Sequence, residues 1–75
     1  HTNDIIRELL NHEGLTQIQL SEMIGKSRYY IGVQFSRDGQ FATNRFARIC
    51  DALDSDLIVR RRSDGKEYTV SPLEE

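Results

Sequence analysis

The chain has one cysteine, one proline and no tryptophan. It also has no apolar run near the roughly 20 residues that span a bilayer. The lone Cys50 excludes an internal disulfide and has no companions at metal-ligand spacing, so a reducing cytoplasm is the simplest compartment. The first residues are polar and acidic, and no signal peptide is legible among them. His1 carries no functional weight in this reading. Paired carboxylates, a Cys–His arrangement and a glycine-rich phosphate loop are all missing. With 75 residues there is little room for a pocket beside a core, so an enzyme is set aside and no cofactor is implied. What remains is an ordinary composition, 37% hydrophobic and 29% charged, without internal repeat, linker or low-complexity segment. It reads as one small domain over 1–75, for which oligomerisation is a natural stabiliser.

The net charge of −2 is a poor recommendation for a nucleic-acid binder, but the charge is unevenly spread. Residues 1–24 carry a net −3, residues 25–66 a net +4 and residues 67–75 a net −3. Phosphate contact depends on local potential rather than on the total, and the middle block is the positive one.

Helical spacing governs the first 53 residues. Asn3 or Asp4 can cap a first helix over about 4–12, with Ile5, Ile6, Leu9 and Leu10 as its buried stripe. Thr16 can cap a second helix over about 16–24, with Gln19 closing a capping box and Leu20, Met23 and Ile24 as the apolar face. After a tight turn at Gly25, Ser27 can cap a third helix over about 27–36. On it Ile31 and Phe35 point one way, and Arg28, Tyr29, Gly32 and Val33 the other. Two short helices meeting at a glycine turn, the second with a polar and aromatic outer face, have the layout of a helix-turn-helix. Residues 37–40 read as a loop, with Gly39 fit for a positive φ. Thr43 then caps a fourth helix over about 44–53 with Phe46, Ile49, Cys50 and Leu53 inward.

Beyond Asp54 the period becomes alternating. Asp64-Gly65 is a strong hairpin signal. A two-residue turn there sets Arg62 opposite Glu67, Arg61 opposite Tyr68 and Val59 opposite Val70. Leu57, Val59, Tyr68 and Val70 then share one face. A two-stranded hairpin is barely stable alone, so residues 56–71 must lean on the helices or pair with another copy. A homodimer formed through this hairpin is the economical reading. Pro72 stops the ladder, and 72–75 form a tail.

Residues 15–53 resemble the helix-turn-helix family of phage repressors and Cro proteins, the XRE family. The match runs through Leu15-Thr16-Gln17, Leu20, Ile24-Gly25, Ser27-Arg28 and Ile31, then Phe46, Ile49, Ala52 and Leu53, without a gap. The resemblance implies a mainly α fold, a four-helix lambda-repressor-like core over 4–53, here followed by the C-terminal β-hairpin. It implies base contact by Arg28, Tyr29 and Val33. Backbone contact falls to Gln17, Asn44 and Arg45, joined in our reading by the cationic Lys26 and Arg37. The chain departs from the family pattern at Gln34 and Phe35, at Arg37 in place of a glycine after the third helix, and in having a hairpin where a fifth helix is usual. Phe35 is expected to take over the packing role, with Gln34 at the margin.

Each of these residues has a plainer alternative. Arg28 can give two parallel hydrogen bonds to guanine, or be a solvated arginine in a first turn, where it opposes the helix dipole. Tyr29 is the outer tyrosine and Tyr30 the one that packs between helices. Gly32 serves a close approach either to DNA or to a neighbouring helix. Val33 can meet a thymine methyl or be an ordinary exposed valine. Arg60, Arg61 and Arg62 read first as a solvated face that protects a strand edge. Cys50 reads as core, and His12 as a group suited to a helix C-terminus. The expected function is a cytoplasmic, homodimeric transcriptional repressor that reads a palindromic operator in double-stranded DNA. The alternative is an antitoxin-like or adaptor domain whose hairpin binds a partner protein.

Overall fold

The computed structural model describes residues 1–72, so of the expected tail 72–75 only Pro72 lies within it. The described chain is mainly helical: α1 Thr2–Glu13, α2 Gln17–Met23, α3 Tyr30–Ser36 and α4 Thr43–Ala52. A two-stranded antiparallel hairpin follows, β1 Leu57–Arg60 and β2 Glu67–Val70. One apolar cluster joins the four helices. It is built from Ile6 and Leu10, Leu20 and Ile24, Ile31 and Phe35, and Ile49 and Leu53, one pair from each helix and its cap. Each such side chain contributes roughly 1.5–3 kcal/mol by leaving water. Ala47 and Cys50 of α4 are buried as well.

The stripes are narrower than the sequence suggests. Ile5 and Met23 are exposed, and Leu9 is half-buried. Ile5 stands about 100° around the helix from Ile6 and lies on the solvent side of α1. The caps differ too. The α1 cap is His1, whose Nδ1 accepts from Asn3 N–H at 3.2 Å. Asn3 is buried instead, and its Nδ2 donates to Gly39 O at 3.0 Å. At α2 the expected capping box is present. Gln19 N–H donates to Thr16 Oγ1 at 3.1 Å, and Thr16 N–H donates to Gln19 Oε1 at 2.8 Å. Ser27 caps nothing, because a tight turn comes first. Tyr30 N–H donates to the carbonyl of Ser27 at 3.0 Å, and α3 starts three residues later than expected. Thr43 lies inside α4, whose N-cap is Ala42.

All four helices stop in the same way. Just past each helix, one residue sends its N–H back to a carbonyl five positions earlier: Leu15 to Leu10, Lys26 to Ser21, Gly39 to Gln34 and Ser55 to Cys50. Such endings need a left-handed residue just before. Gly14 and Gly25 fill that place in two helices, and Asp38 (φ 52) and Asp54 (φ 54) in the others. The positive φ expected at Gly39 therefore falls one residue earlier. Gly39 is small for another reason: an added Cβ would lie 2.5 Å from Gln34 Oε1 and 3.3 Å from Gln34 O.

The hairpin register also differs from expectation. Leu57 faces Val70, Ile58 faces Thr69, Val59 faces Tyr68 and Arg60 faces Glu67. The loop spans 62–65 and is closed by Gly65 N–H on Arg61 O at 2.8 Å. Asp64 is the reason. Its carboxylate accepts from Arg61 Nε at 3.0 Å, from Arg61 Nη2 at 2.6 Å and from Lys66 N–H at 3.1 Å, and φ there is not positive. The shift is two residues, so every side chain keeps its face. Leu57, Val59, Tyr68 and Val70 do share one.

Candidate nucleic-acid interface

The candidate surface begins at the α2–α3 junction. Leu20 and Ile24 anchor α2 in the core, and Ile31 and Phe35 anchor α3, which fixes the outward faces of both helices. A buried serine ties them together. Ser21 Oγ donates to Gln17 O at 2.8 Å and accepts from Ile31 N–H at 3.1 Å. Close by, an added Cβ on Gly32 would lie 3.2 Å from Gln17 Oε1. Gln17 therefore lies against the third helix, and the close approach at Gly32 is made by a neighbouring helix.

Three residues face outward from this junction. Arg28 is exposed, Tyr29 is 63% exposed and Val33 is 39% exposed. Arg28 and Tyr29 sit in the turn that leads into α3, with the guanidinium 5.4 Å from the Tyr29 ring. Phe35 packs inward, with Arg7 stacked 4.4 Å above its ring, and Gln34 is half-buried beside Gly39.

Tyr30 assembles the flank. Half-buried, it lies 6.1 Å from the Phe41 ring, with Lys26 Nζ at 5.7 Å and the Arg45 guanidinium at 5.9 Å. A lysine from the turn and an arginine from α4 are thereby gathered around one aromatic ring. Asn44 is half-buried on the first turn of α4. Arg37 is exposed at the far end of α3, about 10 Å along the helix from Tyr30, and belongs to a separate part of the surface. Neither Ser21 nor the gathering role of Tyr30 is evident from charge or motif. Sequence reasoning missed both; the signal that could have found Ser21 is the spacing, which puts it on one side of α2 with Gln17 and Ile24.

The hairpin presents a second surface. Leu57 and Val70 are half-buried, while Val59 is 58% and Tyr68 45% exposed on the same face. Arg61 and Lys66 approach the Tyr68 ring at 6.0 and 5.2 Å. The ion pair with Arg61 holds the Asp64 carboxyl below the usual carboxylate range.

Among the described residues no helix is long and apolar enough to cross a membrane. No group of three or more His, Cys, Asp or Glu side chains there could hold a metal ion. Comparison with models of known families, with curated proteins and with solved structures finds no match.

Proposed function

We propose that this chain is a sequence-specific DNA-binding regulator of transcription, a cytoplasmic repressor that binds a palindromic operator as a homodimer. In this reading α2 and α3 form a helix-turn-helix of the phage repressor and Cro type. The observation that carries it is the tie between Ser21 and Ile31. It fixes α3 against α2 through a backbone group and leaves Arg28, Tyr29 and Val33 facing solvent together. Arg28 and Tyr29 then read base edges and Val33 meets a thymine methyl. Gln17, Lys26, Asn44 and Arg45 hold phosphates on either side, with Arg37 further along the groove.

A salt titration of binding to duplex DNA tests this. Affinity should fall steeply with salt. Arg45→Ala should lower the salt slope by about one, whatever the sequence, as loss of a phosphate contact does. Arg28→Ala should cost about 1–3 kcal/mol on a selected operator and relax preference at one base pair. A folded chain with no salt-sensitive binding refutes the proposal.

The exposure of Val59 and Tyr68 favours a second reading, an adaptor or antitoxin-like domain whose hairpin binds a protein partner. Such a domain keeps its function in Arg28→Ala and loses it in Tyr68→Ala.

A further inference from the structure

Hydrogen-bond alternation in the hairpin decides which backbone groups face outward. Arg61 N–H donates to Lys66 O at 2.8 Å and closes the ladder beside the loop. Bonded and non-bonded pairs alternate along an antiparallel ladder. Val59 with Tyr68 and Leu57 with Val70 are thus bonded pairs, while Ile58 with Thr69 and Arg60 with Glu67 are not. The N–H and C=O groups of Ile58 and Arg60 therefore point away from β2. Ile58 is 42% exposed, and Asp56 and Arg60 are exposed, so the outer edge of β1 is open. Among the described residues neither Asp56 nor Arg60 makes an ion pair.

We propose that this edge pairs antiparallel with the same edge of a second copy, centred on Ile58, giving one four-stranded sheet. The proposal rests on the homodimeric reading above and specifies its interface. With Ile58 on the two-fold axis, it faces the partner's Ile58. Leu57 faces the partner's Val59, and Asp56 faces the partner's Arg60, so each dimer gains two such charge pairs. On one face Val70 and Leu57 then continue into the partner's Val59 and Tyr68, and the same row runs back the other way. On the other face Arg60 lies between Glu67 of its own hairpin and the partner's Asp56.

Neighbouring registers lack this match. Centring on Val59 sets Ile58 and Leu57 against arginines, and centring on Leu57 sets Asp56 against an isoleucine. Directly opposed residues stabilise a sheet when like meets like in polarity and opposite in charge. The outer edge of β2 offers no charge match. Centred on Thr69 it sets Glu67 against Ser71, and two more glutamates follow in sequence. Pairing through β1 also covers an edge that would otherwise template aggregation.

Sedimentation equilibrium of the full chain tests the interface. The chain should dimerise. Asp56→Arg and Arg60→Asp should each raise the dimer dissociation constant at least about tenfold, since each turns two attractions into two repulsions. An equimolar mixture of the two variants should recover the dimer, because the heterodimer sets opposite charges together at both contacts. A fold that was merely damaged is not rescued by mixing. Ile58→Pro removes an outward N–H, spares the bonds to β2 and should give monomer. Thr69→Pro, its counterpart on β2, should leave the dimer intact. The proposal is overturned by a monomeric parent chain, by charge variants that dimerise as the parent does, by a mixture that stays monomeric, or by dissociation in Thr69→Pro alone. An edge-paired dimer without affinity for DNA sinks the regulator and leaves this interface standing. DNA binding by a chain that is indifferent to Asp56→Arg does the reverse.

Discussion

Ser21 serves two backbone groups with one hydroxyl, and its burial makes both bonds costly to lose. Ser21→Ala leaves the Ile31 N–H buried without its acceptor, which should cost about 1–3 kcal/mol. Urea denaturation followed by circular dichroism measures this directly; a change below 0.5 kcal/mol, roughly the scatter of neutral surface substitutions, would mean that the junction is held by packing alone. Gly32 gives the opposite balance. Alanine inside a helix is favoured over glycine by about 1 kcal/mol, but the new methyl meets the end of the Gln17 side chain at 3.2 Å. A glutamine amide can swing aside, so Gly32→Ala should fold at least as stably as the parent. If Gln17 touches DNA, the same variant binds more weakly. Thermal melts and a DNA titration on one preparation separate the two effects.

At the scale of elements, the helices were legible and their ends were less so. Apolar residues at helical spacing mark α1, α2, α3 and α4 in the sequence, because the core that buries them obeys that spacing. Caps are decided by single hydrogen bonds that compete with near equals. At α3 the carbonyl of Ser27, rather than its hydroxyl, took the available N–H. At Asp38 an aspartate accepted the left-handed place that Gly39 was expected to fill, since the helix ends one residue too early for the glycine. The hairpin shows the same competition. Its shared face was legible from alternation, whereas its register depended on where Asp64 would put its carboxylate. That carboxylate also makes the loop sensitive to acid. Its native pKa lies below the unfolded value, so the loop gains stability above the unfolded pKa and loses it as pH falls through the native one. Amide shifts of Gly65 and Lys66 should move together through that range. In Asp64→Asn the pH response should vanish.

For the whole molecule, the described residues extend 41 × 25 × 23 Å, longer in one direction than in the other two. The core cluster and the hydrophobics packed against it come from the helices and the segments between them, while the hairpin has only Leu57 and Val70 half-buried. This division was not legible in the sequence, because alternation places Val59 and Tyr68 on one face without saying what covers that face. Cys50 lies on the protected side of it, 4% exposed on α4, with burial pushing its thiol up from the usual range. A thiol reacts as the thiolate and only where reagent can reach it. As the chain's single thiol, Cys50 becomes a clock. Under native conditions an aromatic disulfide reagent should label it slowly, at the intrinsic rate scaled by the fraction of molecules open at α4. If the chain binds DNA as proposed, and binding requires the closed helices, adding that DNA should slow the clock further, and the ratio of the two rates reads out the linkage.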